Sequence, residues 1–501
     1  MGQYWIALTL VFVIAIISQY LLFQQEFYSI SADESAKALM ANNLTWKGAI
    51  EPFVWPPAYK VLTGLALKVY DNLFITPRVI AFIFSLITLA SLVFLAHRIF
   101  NDRLTTVIAA IVSVYIPHRF IFSVIPMSEM YFNCFILLSS AFLISWIKSN
   151  KDWQLTLTSI FLFLASTTRY EGCFFSLVLV LFLMYRFFVA RQLPFKFFLT
   201  NVLILSAFPI FWIVNSWVLY GSLDNLSITK QQSEWYGLTY YQILRNNTLT
   251  RLLIETCFTP IIFGFMALVW SSQRDRSIRL WFWLTFLPVL LISFSTISSK
   301  AAAVAAPWRL TGPWILVTVP FLAFSIKTFA TSFSKNRVRP ALVAVVVAVL
   351  LTFVLQSNFI VEKRSFLKQV ELDAGVYLQS LDIEQKDQRI LIETESYSYL
   401  NILTTSNMPE YFVLSTGDDP QQIALYIGAK DYIKQNDPEN YQKYLQSKYD
   451  FSGKLDLKQL QEQKIAYLML QKDAYQKQAD MNTGLRKLNQ FGGWNLYQLQ
   501  E

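Results

Sequence analysis

Predominantly apolar runs, separated by short polar or basic segments, recur along most of the chain, and that pattern leaves few folds open. They are Tyr4–Phe23, Thr76–Ala96, Leu104–Pro117, Met130–Ile147, Leu155–Thr168, Cys173–Tyr185, Phe198–Tyr220, Leu252–Ser271, Leu280–Ser298, Trp314–Ile326 and Ala341–Phe359. In hydrocarbon every backbone N–H and C=O must find its partner inside the protein, so each run is expected to be a helix. A bilayer takes about 20 helical residues, so the shorter runs borrow length from their flanks, and the expected count is about eleven spans. No Lys or Arg precedes Lys37. The first run therefore lacks the basic leader and small-residue cleavage site of a signal peptide and reads as a retained span.

Charge separates these runs from the C-terminal stretch. The first 360 residues carry 26 Lys/Arg and 13 Asp/Glu, whereas residues 361–501 carry 16 and 20. The second stretch is about one-quarter charged, as in an ordinary soluble domain, and the first is far below that. The expected organisation is a membrane domain over 1–360, whose first outer loop spans 24–75, followed by a soluble domain over 361–501. The net charge of +9 is scattered between apolar runs instead of forming one basic patch, which excludes nucleic acid as a partner and leaves the lipid bilayer. The cysteines Cys134, Cys173 and Cys257 show neither metal-ligand spacing nor a disulfide framework.

The loops between runs set the orientation. With the N-terminus in the cytoplasm, the inner loops (97–103, 148–154, 186–197, 271–279 and 327–340) hold 14 Lys/Arg, a far higher density than the longer outer loops, as the positive-inside rule requires. An odd number of spans then places the C-terminal domain outside the cytoplasm. Most acidic residues of the membrane domain fall on that outer side as well, among them Asp33, Glu34, Glu129 and Glu171. In the tail, Phe366–Leu381 has helical apolar spacing, and Arg389–Glu393, Tyr411–Leu414, Ile465–Leu470 and Trp494–Tyr497 read as strands. The fold class is thus a polytopic α-helical membrane protein with a C-terminal extracytoplasmic α/β domain.

The first outer loop carries structure of its own. Ser31, Asp33 and Glu34 form a capping-box pattern that starts a short helix. Leu62, Leu65, Ala66 and Val69 make an apolar stripe on a second helix, with Lys60 and Lys68 placed to reach lipid headgroups. Helix capping alone accounts for Asp33 and Glu34 equally well. Glu129 at a span end reads either as a solvated interfacial carboxylate or as an acceptor-positioning group. Arg169 and Glu171 lie between spans that leave almost no loop, so they are expected to pair in an internal salt bridge. His118 and Arg119 read as interface anchors. The aromatic residues of Trp235–Tyr241 read either as a sugar-stacking platform or as headgroup anchors.

Taken in order, these motifs resemble the GT-C superfamily of integral-membrane glycosyltransferases, in particular the branch with protein O-mannosyltransferases and the lipid A aminoarabinose transferase. The resemblance rests on Asp33 and Glu34 after the first span and on Trp55, Pro56 and Pro57 before a second juxtamembrane helix. It continues with Pro126 to Glu129 before the fourth span, Thr168 to Gly172 between two short spans, and Pro307, Arg309, Gly312, Pro313 and Pro320 entering a late one. It implies a donor in which a sugar is carried on a polyprenyl phosphate, and an acceptor hydroxyl on a glycan, lipid or protein, with stereochemical inversion. Asp33 would be the general base with Glu34 beside it, and Arg309 would meet the donor phosphate. Lys60, Glu129, Arg169 and Glu171 would contact substrate. Related enzymes often carry a basic residue where this chain has Trp55. The oligosaccharyltransferase branch further implies a divalent metal, Mg or Mn, shared by Asp33 and Glu129. The rival class is a transporter or flippase of lipid-linked sugars, which is expected to show repeated halves and midplane charges; neither is evident here.

Overall fold

The computed structural model describes residues 2–30, 32–42, 44–45, 55–220, 258–299, 307–332, 343–344, 346–348, 350, 368–381, 383, 387–394, 397–415, 449, 451 and 457–500. The chain divides into two compact units. One holds residues 1–25, 54–59 and 79–365, and the other holds residues 26–53, 60–78 and 366–501.

The first unit is helical. Its elements are α1 (Gly2–Gln24), and, after the loop helices α2 (Asp33–Asn42) and α3 (Pro57–Leu67), α4 (Ile75–Phe100), α5 (Arg103–Tyr115), α6 (Ser128–Ser149) and α7 (Asp152–Thr168). Next come α8 (Glu171–Met184), α9 (Phe195–Tyr220), α10 (Phe258–Arg274), α11 (Arg276–Ser299) and α12 (Pro307–Ser332). Each expected run up to Trp314–Ile326 lies largely within one of these helices; Ala341–Phe359 falls mostly outside the described residues. Among the described residues, six helices are long and apolar enough to cross a membrane.

Burial sorts these helices. In α6, 83% of the apolar window is buried, against 28% in α1 and α9. Helix α6 is therefore the core helix, packed on α7, α11 and α12, while α1 and α9 present Trp5, Leu10, Leu203 and Trp217 outward. Outward apolar side chains are expected where the surrounding solvent is hydrocarbon. Many polar side chains inside this unit bond to one another or to backbone. Gln19 meets Ser85 at 2.9 Å, Ser159 donates to Asn201 at 2.9 Å, and the Trp281 indole donates to the Ser140 carbonyl at 3.0 Å. Arg119 departs from the interface-anchor expectation. It is fully buried, with Nε donating to the Ser113 carbonyl at 2.6 Å and Nη1 to Ser85 Oγ at 2.8 Å, so it satisfies the open carbonyl end of α5.

The second unit is built on a five-stranded sheet in the order β2-β1-β3-β5-β4. Its strands are β1 (Arg389–Ile392), β2 (Phe412–Leu414), β3 (Ile465–Leu470), β4 (Leu485–Phe491) and β5 (Trp494–Leu499). β1 runs parallel to β2 and β3, and β5 runs antiparallel to β3 and β4. Leu391, Leu468, Leu470, Phe451 and Tyr497 pack its core. Four of the strands match expectation. β4 does not: its sequence, Leu-Arg-Lys-Leu-Asn-Gln-Phe, is mostly polar because it is an edge strand exposed along much of its length.

Residues of the first outer loop belong to this unit. Helix α2 packs on α14 (Tyr399–Ser406), which itself packs on α13 (Gln369–Gln379). Ser35 Oγ donates to Asn401 Oδ1 at 2.6 Å and lies 2.8 Å from Thr404 Oγ1. Asn407, in the left-handed conformation at the end of α14, accepts from the Leu73 N–H at 2.7 Å. Gly64 permits α3 to approach the end of α2, since a Cβ there would stand 2.7 Å from the Ala41 carbonyl oxygen.

Candidate active site

The acidic motif sits at the start of α2. Asp33 and Glu34 occupy its first turn, where the helix dipole favours a carboxylate. Their environments differ. Glu34 is 1% exposed and accepts from the Ile30 N–H at 3.1 Å and the Ser29 hydroxyl at 3.3 Å. Its reach back across the helix start is of the capping-box kind, but it ends on Ile30 and Ser29; Ser31, the expected partner, lies outside the described residues. Asp33 is half-buried and so keeps a path to solvent.

Cations of the same unit are buried nearby in sequence. Lys60 is 3% exposed, which departs from the expected headgroup contact, whereas Lys68 is exposed as expected. Leu65 and Val69, from the apolar stripe, are exposed. Lys37 and Arg78 were not singled out from the sequence, yet both are buried. Arg78 donates to the Phe74 carbonyl at 2.5 Å and the Tyr28 carbonyl at 2.8 Å, and its guanidinium lies over the Phe74 ring. Burial raises the Tyr28 phenol above its ordinary range, and Glu26 adds to that rise.

In the helical unit the structure brings three of the candidate residues together. Glu129 lies in the first turn of α6 and is 1% exposed. Arg169 follows α7 in an extended conformation, φ −148° and ψ 143°, and Glu171 opens α8 two residues later. Arg169 Nη1 stands 2.7 Å from Glu129 Oε1, while its Nη2 stands 2.5 Å from Glu171 Oε1 and its Nε donates to both Glu171 oxygens at 3.2 Å. The expected Arg169–Glu171 bridge is present, and Glu129 joins it. One guanidinium thus serves two carboxylates.

The rest of the Thr168 to Gly172 motif builds this corner. The Thr168 hydroxyl bonds back to the Leu164 carbonyl at 2.7 Å, and Tyr170 OH accepts from the Trp212 indole at 2.9 Å. Gly172 is required by space, because a Cβ there would meet the Ser166 backbone nitrogen at 2.5 Å. Without a side chain at 172, α8 starts directly against the last turn of α7.

One to two turns further along the same helices lies a small, partly open cleft. Its walls are almost wholly apolar, with Phe175, Phe265, Phe282, Phe286 and Trp314 supplying aromatic rings and Ile136 the α6 side. Glu129, Asn133 and Ile136 follow one another at i, i+4 and i+7, so they share a helix face that passes from carboxylate to amide to hydrocarbon. Asn133 was missed from sequence. A polar amide inside the otherwise apolar Met130–Ile147 run, one turn from Glu129, was the available signal. Arg309 lies in the first turn of α12, one turn before Gly312. The Trp235–Tyr241 aromatics lie outside the described residues.

Among the described residues, no group of three or more His, Cys, Asp and Glu side chains is arranged to hold a metal ion. Of the expected metal pair, Glu129 already has a guanidinium nitrogen at 2.7 Å.

No family model matches the chain, and no curated protein matches its sequence. Solved structures do match. ArnT from Cupriavidus metallidurans bound to undecaprenyl phosphate gives a TM-score of 0.65 at 11% identity, covering 99% of this chain and 98% of that one. The same protein in the apo state gives 0.64 at 12% identity with equal coverage. The apo oligosaccharyltransferase of Archaeoglobus fulgidus gives 0.51 at 11% identity, covering 93% of this chain and 69% of that one. At such identities the likeness is one of fold alone.

Proposed function

We propose that the chain transfers a sugar from a polyprenyl-phosphate-linked donor to an acceptor hydroxyl, with inversion at the anomeric carbon. The observation that carries this reading is the aromatic cavity with charged helix ends at one side of it. The apolar walls suit an isoprenoid chain, and the Glu129–Arg169–Glu171 cluster and the start of α12 offer polar groups to a charged head. The match to ArnT, solved with undecaprenyl phosphate bound, supports the same ligand class.

In this reading the acceptor oxygen attacks the anomeric carbon as its proton passes to the Asp33 carboxylate. The bond from that carbon to the phosphate oxygen breaks, and the polyprenyl phosphate leaves with the electron pair. A phosphate is already a stable anion, so the leaving group needs cationic stabilisation and no acid. Arg309 has that role, placed in the first turn of a helix whose N-terminal end itself favours anions. Glu34, held by Ile30 and Ser29, fixes the turn that presents Asp33. Glu129, Arg169 and Glu171 bind the polar part of the substrate, and Lys60 is a second candidate for the phosphate.

The active site and residues 361–501 are assigned to the extracytoplasmic side from the loop charges. Reporter fusions at Lys335 and at the C-terminus are then expected to report opposite sides, and same-side signals would refute the assignment. The function itself is tested by incubating purified full-length protein with a panel of polyprenyl-phosphate sugars and an extract of acceptor glycans, lipids and proteins. Consumption of one donor with matching acceptor glycosylation is expected. Movement of labelled lipid-linked sugar across a bilayer without any transfer would favour the flippase instead.

A further inference from the structure

We infer that Asn133 is a donor-binding residue whose side-chain amide donates a hydrogen bond to a phosphate oxygen of the polyprenyl lipid. The inference rests on the transfer reading and adds to it a specificity-determining residue. Asn133 is 1% exposed, and its Nδ2 has no hydrogen-bond partner among the described residues. An amide N–H left unmade in an apolar interior is costly, and the hydrocarbon side chains around it on α6 would be the cheaper choice for packing alone. A ligand that arrives with an acceptor oxygen removes that cost.

The position of the amide says which ligand. Asn133 lies between the charged cluster at Glu129 and the cavity wall at Ile136 on one face of α6. Across from it is Gly312, where a Cβ would stand 3.1 Å from both Asn133 side-chain heteroatoms. Gly312 is followed at once by Pro313 and Trp314, which line the cavity, and preceded by one turn that contains Arg309. The amide therefore marks the boundary between a partly open apolar cleft and the N-terminal end of α12. An amphiphile with its chain among the aromatic rings brings its first polar group to that boundary. That group is expected to be anionic, because a helix N-terminus with an arginine in its first turn favours an anion. The carboxylates Glu129 and Glu171 do not, so that cluster is left to the sugar hydroxyls.

The test compares wild type with Asn133→Leu as full-length proteins in nanodiscs, measuring thermal midpoint and the Kd for undecaprenyl phosphate, undecaprenol and inorganic phosphate. Removing an unsatisfied amide is expected to leave the ligand-free midpoint unchanged or higher. The same change is expected to weaken undecaprenyl phosphate about tenfold, one hydrogen bond to a charged acceptor, with little change for undecaprenol. A residue that only packs would lose midpoint without changing the preference between the two lipids. Equal affinity of Asn133→Leu and wild type for undecaprenyl phosphate overturns the inference while leaving the transfer reading intact. So does an equal loss for both lipids, or competition by inorganic phosphate at the affinity of the lipid. Failure of the wild type to bind undecaprenyl phosphate overturns both. Should Asn133→Leu not fold, Asn133→Ala supports the same comparison.

Discussion

Arg169 and Glu129, forty residues apart in sequence, meet at 2.7 Å where α6 begins and α7 ends. The glutamate is 1% exposed and the arginine 15%, so the pair is largely removed from solvent. Breaking a buried pair by removing one partner costs about 3–5 kcal/mol, because the other charge is stranded. Arg169→Ala is therefore expected to lower the thermal midpoint sharply, since it takes the guanidinium from both Glu129 and Glu171. Glu129→Gln should cost less, because Arg169 keeps Glu171. Adding Glu129→Gln to Arg169→Met should recover part of the loss, and a double-mutant cycle in which the effects simply add would remove the pairing as a source of stability.

The neighbouring carboxylates Asp33 and Glu34 are expected to separate function from stability. Asp33→Asn should leave the thermal midpoint near wild type and reduce turnover about 10²–10⁴-fold, the usual contribution of a general base. Glu34→Ala should do the reverse in emphasis. It removes the acceptor for the Ile30 N–H and the Ser29 hydroxyl, a capping loss of about 0.5–2 kcal/mol. Transfer rates and midpoints measured side by side decide it: near-normal turnover in a folded Asp33→Asn protein would pass the role to Glu129.

Arg309 is expected to act through charge and fork geometry together. Arg309→Ala should weaken donor use far more than Arg309→Lys, which keeps a point charge but not two parallel donors. The measurement is kcat/KM for the donor at fixed acceptor. A larger effect from Lys60→Ala than from Arg309→Ala would move the phosphate contact to Lys60.

Asp102 tests the packing of α5 without touching the chemistry. Its carboxylate caps α5 by accepting from the Thr105 N–H at 2.7 Å, and it pairs with Lys327 at 3.0 Å. Burial alone would raise its pKa, but the Thr105 and Lys327 interactions outweigh burial and hold it below the ordinary range. A carboxyl depressed in the folded state contributes stability above its unfolded pKa and loses it as pH falls through the folded one. Asp102→Ala should therefore cost about 1 kcal/mol at neutral pH, with the gap to wild type closing in acid. Asp102→Asn should retain most of the cap and lose only the ion pair, which is worth little at a third exposed. A gap that is independent of pH would show that ionisation of Asp102 contributes nothing.

Local features carried much of the reading. The early strands β1, β2 and β3 are apolar throughout or nearly so, hence their visibility, while β4 hid because an edge strand can be polar. The capping pattern at α2 was visible, while the contacts of Glu34 with Ile30 and Ser29 were not, since the geometry of the chain entering a helix is not written in residue spacing. Arg169 and Glu171 could be paired from sequence because the two spans leave no loop between them. Glu129 could not, because nothing along the chain states which helix ends will adjoin.

The sequence alone determined that this chain makes apolar helices ending in a charged α/β segment, because hydropathy and charge act residue by residue and sum along a run. It also determined that carboxylates would begin α2, α6 and α8, since those residues stand where the runs begin. Only the tertiary structure decided that Arg169 would be shared by two glutamates, that Lys60 and Arg119 would be buried, and that Asn133 would face Gly312 beside an aromatic cavity. Those outcomes depend on how helices distant in sequence pack, and packing is decided by the shapes of many side chains at once, a quantity that no single run contains.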